Sequence, residues 1–392
     1  MIGGGYTGVS AARTLARHGV GVTVLESRTL GWGASTRNGG FVLPGFKLGA
    51  AALLRRCGPG RARALFDAAL ESVRFLEALV AREAIDCEYA RCGHVSLASR
   101  PGHYHDLERS AALLRQTFAY ETELLPRDRL PSEIASDAYH GGLLDPGAGG
   151  IHPAKYFFGL ADAARRAGAR LVEGVEVQRF GRAAGGFDLI TSRGPVRAGE
   201  ILVATNGYSG DLAPALRRRV IPIGSHIVAT VPLEERVARE LIPQRRVLSD
   251  TKHLLFYFRL SADRRLLFGG RASFTPTTTA DAARILAKGL ATVFPQLAGV
   301  PLEYAWSGNV GFTFDQLPHA GILDGVHYAM GYCGHGVAMA TYLGARIADA
   351  IAGRGDLLPF SELEFPTVPL YRKRPWFLPL VGAWFRLADA LG

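Results

Sequence analysis

Gly3, Gly5 and Gly8 open the chain at the spacing G-x-G-x-x-G. That pattern handles phosphate with bare backbone rather than with side chains. Gly3 permits the tight turn, Gly5 lets the main chain approach a pyrophosphate, and Gly8 lets the following helix pack against a sheet. Free N–H groups at that helix N-terminus, with the helix dipole behind them, favour negative charge. Glu26 lies about twenty residues further on, where an acid accepts from a ribose hydroxyl in a dinucleotide site. The alternative is a plain glycine turn, which the strand–turn–helix context disfavours. Gly31-Trp32-Gly33-Ala34-Ser35-Thr36-Arg37-Asn38-Gly39-Gly40 is small and polar and is expected to form no regular element, lying flat against a ligand. A third glycine turn, Gly334-His335-Gly336-Val337, again precedes a helical run and again suits an electron-rich ligand edge.

The elements that must position these turns follow from periodicity. Val9–Arg17 reads as an amphipathic helix and Val20–Leu25 as a strand ending at Glu26. Met1 and Ile2 alone precede Gly3, whereas a strand normally has about 5–6 residues. The first strand is therefore expected to be clipped, with the natural start upstream. Residues 49–82 are helical, 93–98 a strand and 104–117 a helix. Breakers at Gly141–Gly147 mark a boundary, and Pro153 opens a helix through Ala167. Strands follow at Val175–Val177, Phe187–Thr191 and Gly194–Ala198. The apolar run Ile201–Val203 returns the chain to the nucleotide domain at Ala204-Thr205-Asn206-Gly207. Ile221–Val231, Leu254–Leu260 and Leu266–Gly270 read as an antiparallel sheet, Asp281–Phe294 as a helix, and Ala338–Ala352 as the last body helix.

The 392 residues carry 45 Lys plus Arg against 35 Asp plus Glu, a formal charge of +10. Arginine supplies nearly all of it, and the arginines are scattered without an aromatic-interleaved stripe, so no nucleic-acid partner is expected. Cys57, Cys87, Cys92 and Cys333 lack zinc or C-x-x-C spacing and are expected as free thiols in a reducing compartment. His103 and His105 suit a surface loop or helix face rather than a metal site, and no metal is expected. No signal peptide precedes the first turn and no uncharged run approaches the roughly 18 residues of a spanning helix. A cytoplasmic protein is expected.

Three signatures in order, Gly3–Gly8 with Glu26, Gly31–Gly40 and Gly334-His335-Gly336, resemble the D-amino-acid oxidase superfamily of FAD-dependent amine oxidoreductases. The likeness is to its gamma-glutamylputrescine oxidoreductase-like branch, beside glycine and sarcosine oxidases. Leu267-Phe268-Gly269-Gly270-Arg271 and Trp306–Pro318 match that branch as well, so the likeness runs nearly end to end. It implies an α/β fold: a Rossmann-like FAD-binding domain built from separated segments, with an inserted antiparallel α+β substrate domain. The implied division is 1–48, 141–215 and 321–355 for FAD, 49–140 for helical and substrate-domain elements, 216–320 for the antiparallel substrate domain, and 356–392 for a tail.

Residue by residue, the resemblance implies that Gly3, Gly5, Tyr6, Thr7 and Gly8 wrap the pyrophosphate and Glu26 takes the adenosine ribose. Gly33, Ala34, Ser35, Asn38, Gly39 and Gly40 run along the ribityl chain and ring. Val177 meets adenine, Ala204, Thr205, Asn206 and Gly207 line the same half, and Gly334, His335, Gly336 and Val337 set a helix end at the flavin pyrimidine. Sarcosine-oxidase relatives attach flavin through a cysteine where this chain has Val310, so FAD is expected to be non-covalent. The implied reaction oxidises a C–N bond in a primary or secondary amine or amino acid. Hydride passes to flavin N5, the imine hydrolyses, and oxygen or another acceptor takes the electrons. An NAD-linked or non-catalytic nucleotide-binding protein is the alternative.

For catalysis, Arg271 is a candidate carboxylate clamp, or else a structural ion pair. His335 is a candidate at the ring, or else a helix cap that acts through its backbone. Tyr257 and Tyr332 are candidate pocket walls, or else core. The tail Tyr371–Arg386 couples a basic lead to an aromatic run that Pro379 and Gly382 are expected to interrupt. It is expected to pack on the body or on a partner subunit. The competing reading is an interfacial anchor, and a membrane partner is not expected.

Overall fold

The computed structural model describes residues 1–270, 277–369, 371–372 and 375–391. Arg271 lies outside the described residues. Among them, two sheets divide the work. In the nucleotide sheet Thr23–Leu25 pairs in parallel with Arg170–Val172, and Leu202–Val203 in parallel with Val326–Met330, which His319–Leu323 flanks antiparallel. One residue joins the halves: Ile2 bridges both Leu25 and Val203 in parallel. Its N–H donates to Leu202 at 2.8 Å, and its carbonyl accepts from Ala204 at 2.9 Å. Ile2 therefore pairs with both neighbouring strands through its own backbone groups.

The second sheet has eight strands, in the order Leu302–Phe312, Ile221–Thr230, Leu266–Gly270, Phe256–Leu260, Val247–Asp250, His94–Leu97, Gly141–Asp145 and Glu123–Pro126. Only the pairing of Val247–Asp250 with His94–Leu97 is parallel. Gly141–Asp145, which the implied division placed at the start of an FAD-binding segment, is a strand of this sheet. A three-stranded meander, Val177–Ala183, Gly186–Thr191 and Gly194–Ala198, flanks the nucleotide sheet.

The helix Tyr6–Arg17 buries one face against the long helix Gly336–Ile351. Pro153–Arg166 packs on its other side, with the His152 side chain capping its first turn. The helix Ala50–Arg82 is broken by Gly58, at φ 73°, and by Pro59 after it. Two expectations need correction. The Gly31–Gly40 stretch contains one helical turn, Ala34–Arg37. Asn38 closes it by donating from its side-chain amide to the carbonyls of Ala34 and Ser35 at 3.1 and 3.0 Å. The tail forms an unbroken helix, Leu378–Leu391. Pro379 falls in its first turn, where a missing N–H costs nothing, and Gly382 is buried against the body.

Candidate active site

A cavity of about 560 Å³ runs along the carboxyl ends of the nucleotide strands, from Glu26 to the start of the helix Gly336–Ile351. Its middle is backbone. Gly3 adopts φ +105°, a conformation that side chains resist, and a Cβ on Gly8 would stand 2.0 Å from the Gly3 carbonyl oxygen. Glu26 closes one end, with one carboxylate oxygen accepting from the Gly4 N–H at 2.7 Å and the other from Arg28 N–H at 2.9 Å. The Ser27 hydroxyl also donates to that second oxygen at 3.3 Å, so the oxygen on Gly4 is the one that keeps a lone pair for a ribose hydroxyl. The Ser35 hydroxyl accepts from the Tyr6 N–H at 3.0 Å, drawing the second glycine loop onto the first helix. Thr7 and Tyr332 hydroxyls meet at 2.7 Å, joining the first turn to the third.

Of the expected cofactor residues, Gly3, Gly5, Tyr6, Thr7, Glu26, Gly33, Ala34, Ser35, Asn38, Val177, Ala204, Thr205, Asn206, Gly334, Gly336 and Val337 line this cavity. Gly8, Gly39, Gly40, Gly207 and His335 are not among its lining residues. Three of these glycines admit close neighbours instead: an added Cβ would lie 3.0 Å from the Tyr257 ring at Gly39, 2.1 Å from the Ile151 oxygen at Gly40, and 3.2 Å from Gly311 N at Gly207. Tyr332 walls the cavity, as do Trp32, Tyr208 and Val310. Sequence reasoning missed Trp32 and Tyr208, because side chains that close a pocket from separate loops leave no periodic mark. Tyr208 accepts from Asn309 N–H at 2.8 Å and meets Trp32 edge-on at 5.8 Å.

Against Gly39, whose added Cβ would meet the Tyr257 ring, the large sheet presents a row of polar and aromatic groups. Tyr257 and Ser225 hydroxyls lie 2.9 Å apart, Phe41 meets Tyr257 edge-on at 5.8 Å, and the His94 Nε2 lies 2.8 Å from the Ser249 hydroxyl. Arg259 stitches this sheet to the glycine loop, donating to the Gly39 and Ile151 carbonyls at 2.9 and 2.7 Å. A cation inside the apolar strand Phe256–Leu260 was the available signal for it. Burial pushes the His94 imidazole down to about 4. Burial, with Lys47 and His94 adding to it, pushes His335 down to about 3. Both rings are therefore neutral at neutral pH. The His335 side chain makes no capping hydrogen bond, and its Nδ1 has no partner among the described residues.

The profile of the DAO family, described as FAD dependent oxidoreductase, matches residues 1–350. The chain belongs to this family. This FAD-dependent oxidoreductase is 35% identical over 398 residues to gamma-glutamylputrescine oxidoreductase of Escherichia coli (strain K12), covering 100% of this chain and 92% of that protein. Its fold matches the crystal structure of glycine oxidase from Geobacillus kaustophilus with a TM-score of 0.76 at 24% identity, over 93% of this chain and 97% of that one. L-proline dehydrogenase from P. horikoshii superposes with a TM-score of 0.75 at 20% identity, over 92% and 94%. The NAD-linked or non-catalytic alternative gives way to this membership. The oxidoreductase's cavity fits FAD: an acid stands at the adenosine end, bare amides line the middle, and a helix N-terminus closes the flavin end.

Proposed function

We propose that this oxidoreductase oxidises the C–N bond of a small primary or secondary amine or amino acid, using non-covalent FAD. The observation that carries the reading is the continuous cavity that joins the Glu26 acid to the Gly336 helix end, with the bare backbone of Gly3, Gly4 and Gly5 lining it between them. Relatives named gamma-glutamylputrescine oxidoreductase and glycine oxidase support the substrate class. Bound FAD supplies a two-electron acceptor that takes hydride from the carbon bearing nitrogen, and the resulting imine hydrolyses in water.

The protein's own part is placement and electrostatics. Gly3, Gly5 and Thr7 hold the pyrophosphate, and Glu26 the ribose. Gly334, Gly336 and Val337 aim the positive end of a helix at the ring edge that becomes electron-rich on reduction. Val310 offers no thiol, so nothing there ties the flavin covalently. Neutral His94 and His335 leave the pocket without imidazolium charge, which favours entry of a cationic amine. Tyr257 and Phe41 form the wall that shapes the substrate side, and Arg271 clamps a substrate carboxylate. Oxygen or another electron acceptor reoxidises the enzyme, and the reaction takes place in the cytoplasm.

Steady-state assays of Arg271→Met with paired amines, one bearing a carboxylate and one without, test the clamp. The expected result is a KM rise of about 10–100-fold for the carboxylated amine alone, the range of a lost charged hydrogen bond. Equal losses for both amines would contradict it.

A further inference from the structure

The tail helix Leu378–Leu391 has two unlike faces. Its inner face is pinned. Leu378 is buried in a cluster with Ile221, Ile223, Phe312 and Cys333, against which Phe377 and Phe385 pack. Phe385 also meets the His253 ring at 4.8 Å. Asp389 accepts from the backbone N–H groups of His253 and Leu254 at 2.9 and 3.0 Å. Just upstream, the Tyr371 hydroxyl donates to the Val220 carbonyl at 3.0 Å. The segment is thus a docked part of the body, in line with the packing expected of its sequence.

The outer face is apolar and open. Trp376, Leu380, Trp384 and Leu387 are 58%, 68%, 65% and 50% exposed. Their spacing of four, four and three residues sets them along one line of a helix and its lead-in. Four large apolar side chains in register make a patch, which a water-facing surface rarely carries without a partner.

The charge pattern chooses the partner. Arg372, Lys373 and Arg374 precede the apolar line in sequence and Arg386 lies within it, and Arg372 and Arg386 are exposed. From Phe365 onward the only acid is Asp389, and it is tied inward to His253 and Leu254. A second copy docking by the same face would set arginine against arginine across a two-fold axis. An anionic lipid surface offers the opposite charge to the basic groups and an apolar boundary to the tryptophans. The 14 residues of the helix span about 21 Å, short of a bilayer core, and no helix among the described residues is long and apolar enough to cross a membrane.

We infer that the outer face of the tail helix, Trp376–Leu380–Trp384–Leu387 with Arg386 beside it, is a docking surface for an anionic membrane on which the enzyme lies in the interfacial plane. The inner face stays on the body, so docking requires no unfolding of the tail. Because that inner cluster also packs against Val310 and contains Cys333, both walls of the cofactor cavity, the docked enzyme holds its flavin end near the lipid.

The test is co-sedimentation of full-length holoenzyme with vesicles of equal parts phosphatidylcholine and phosphatidylglycerol, beside vesicles of phosphatidylcholine alone. Binding to the anionic vesicles is expected, with a loss of about tenfold or more in the variant L380S/W384S/L387S. Arg386→Glu should weaken partition by about tenfold, and added salt should do the same. All four positions are exposed, so flavin content and turnover serve as controls for folding and should match the parent's. Absence of binding to anionic vesicles overturns the inference, and so does binding that the serine variant leaves unchanged. A concentration-dependent dimer that the serine variant abolishes, in a protein that ignores lipid, overturns it in favour of a second copy.

Discussion

The nucleotide cradle and the proposed substrate face of the large sheet are made of different material. The cradle is backbone: Gly3 at positive φ, Gly8 pressed on the Gly3 carbonyl, a helix end at Gly336, and Glu26 holding the Gly4 N–H. The substrate face is side chains drawn from strands far apart in sequence, with Ser225, Tyr257, Ser249 and His94 neighbours only because the sheet aligns them. The cofactor is thus specified by conformations that few residues can adopt. The groups proposed to meet the substrate can be exchanged without disturbing the chain's path. Changes to the cradle should cost folding and flavin together, whereas changes to the substrate face should leave both largely intact.

The largest effect is expected at Gly8. In Gly8→Val the added atoms meet the Gly3 carbonyl at well under contact distance. Such a clash costs about 3 kcal/mol or more when main chain is the neighbour. The variant should purify without flavin and melt many degrees lower, as calorimetry and the visible spectrum will report. A yellow, equally stable Gly8→Val protein would break the contrast.

An intermediate effect is expected at Glu26. Glu26→Ala loses a charge-assisted acceptor, so FAD affinity should fall by about 1–3 kcal/mol, or roughly 5–150-fold. Titration of the apoenzyme with FAD measures this. Turnover at saturating FAD should stay near that of the parent, because the carboxylate is remote from the ring. Collapsed turnover with unaltered FAD affinity would move Glu26 to the chemistry.

The smallest effect belongs to two imidazoles, His94 on the large sheet and His335 at the third glycine turn. His94 and His335 sit at about 4 and about 3, below the ordinary value near 6.5. As pH falls through about 6.5, the unfolded chain takes up protons that the folded chain refuses. The stability tied to these neutral rings is therefore complete above that pH and is lost as pH drops toward 3. His94→Asn should reduce the acid-side fall in melting temperature by about 2 °C while keeping its flavin. An unchanged slope would mean that the ring is not buried as described.

The same contrast explains how much of the molecule its amino-acid order reveals. Gly3, Gly5 and Gly8 with Glu26 are local, and each demands a particular residue type, so the cradle is legible from residue spacing alone. Val337 and Gly334 follow from the same logic at the third turn. Trp32 and Tyr208 are not legible, because an edge-on aromatic pair from two loops has no spacing rule. The placement of Gly141–Asp145 fails for a related reason: glycines mark where a chain can turn, not which sheet it joins. Gly39 and Gly40 suggest a ligand-facing loop, yet they admit the Tyr257 ring and the Ile151 carbonyl. A small residue signals close approach without naming what approaches. Pro379 misleads as a helix breaker because composition does not reveal its first-turn position.

The central claim is that the cavity between Glu26 and Gly336 holds exchangeable FAD that an amine substrate reduces. The most direct measurement is anaerobic mixing of the purified holoenzyme with a panel of amines and amino acids, gamma-glutamylated amines among them, while the flavin spectrum is followed. The account predicts that at least one amine bleaches the oxidised spectrum within turnover time, and that acid precipitation then releases all the flavin into solution. Flavin that no amine bleaches but a reduced nicotinamide does, or colour that stays with the precipitated protein, would contradict it.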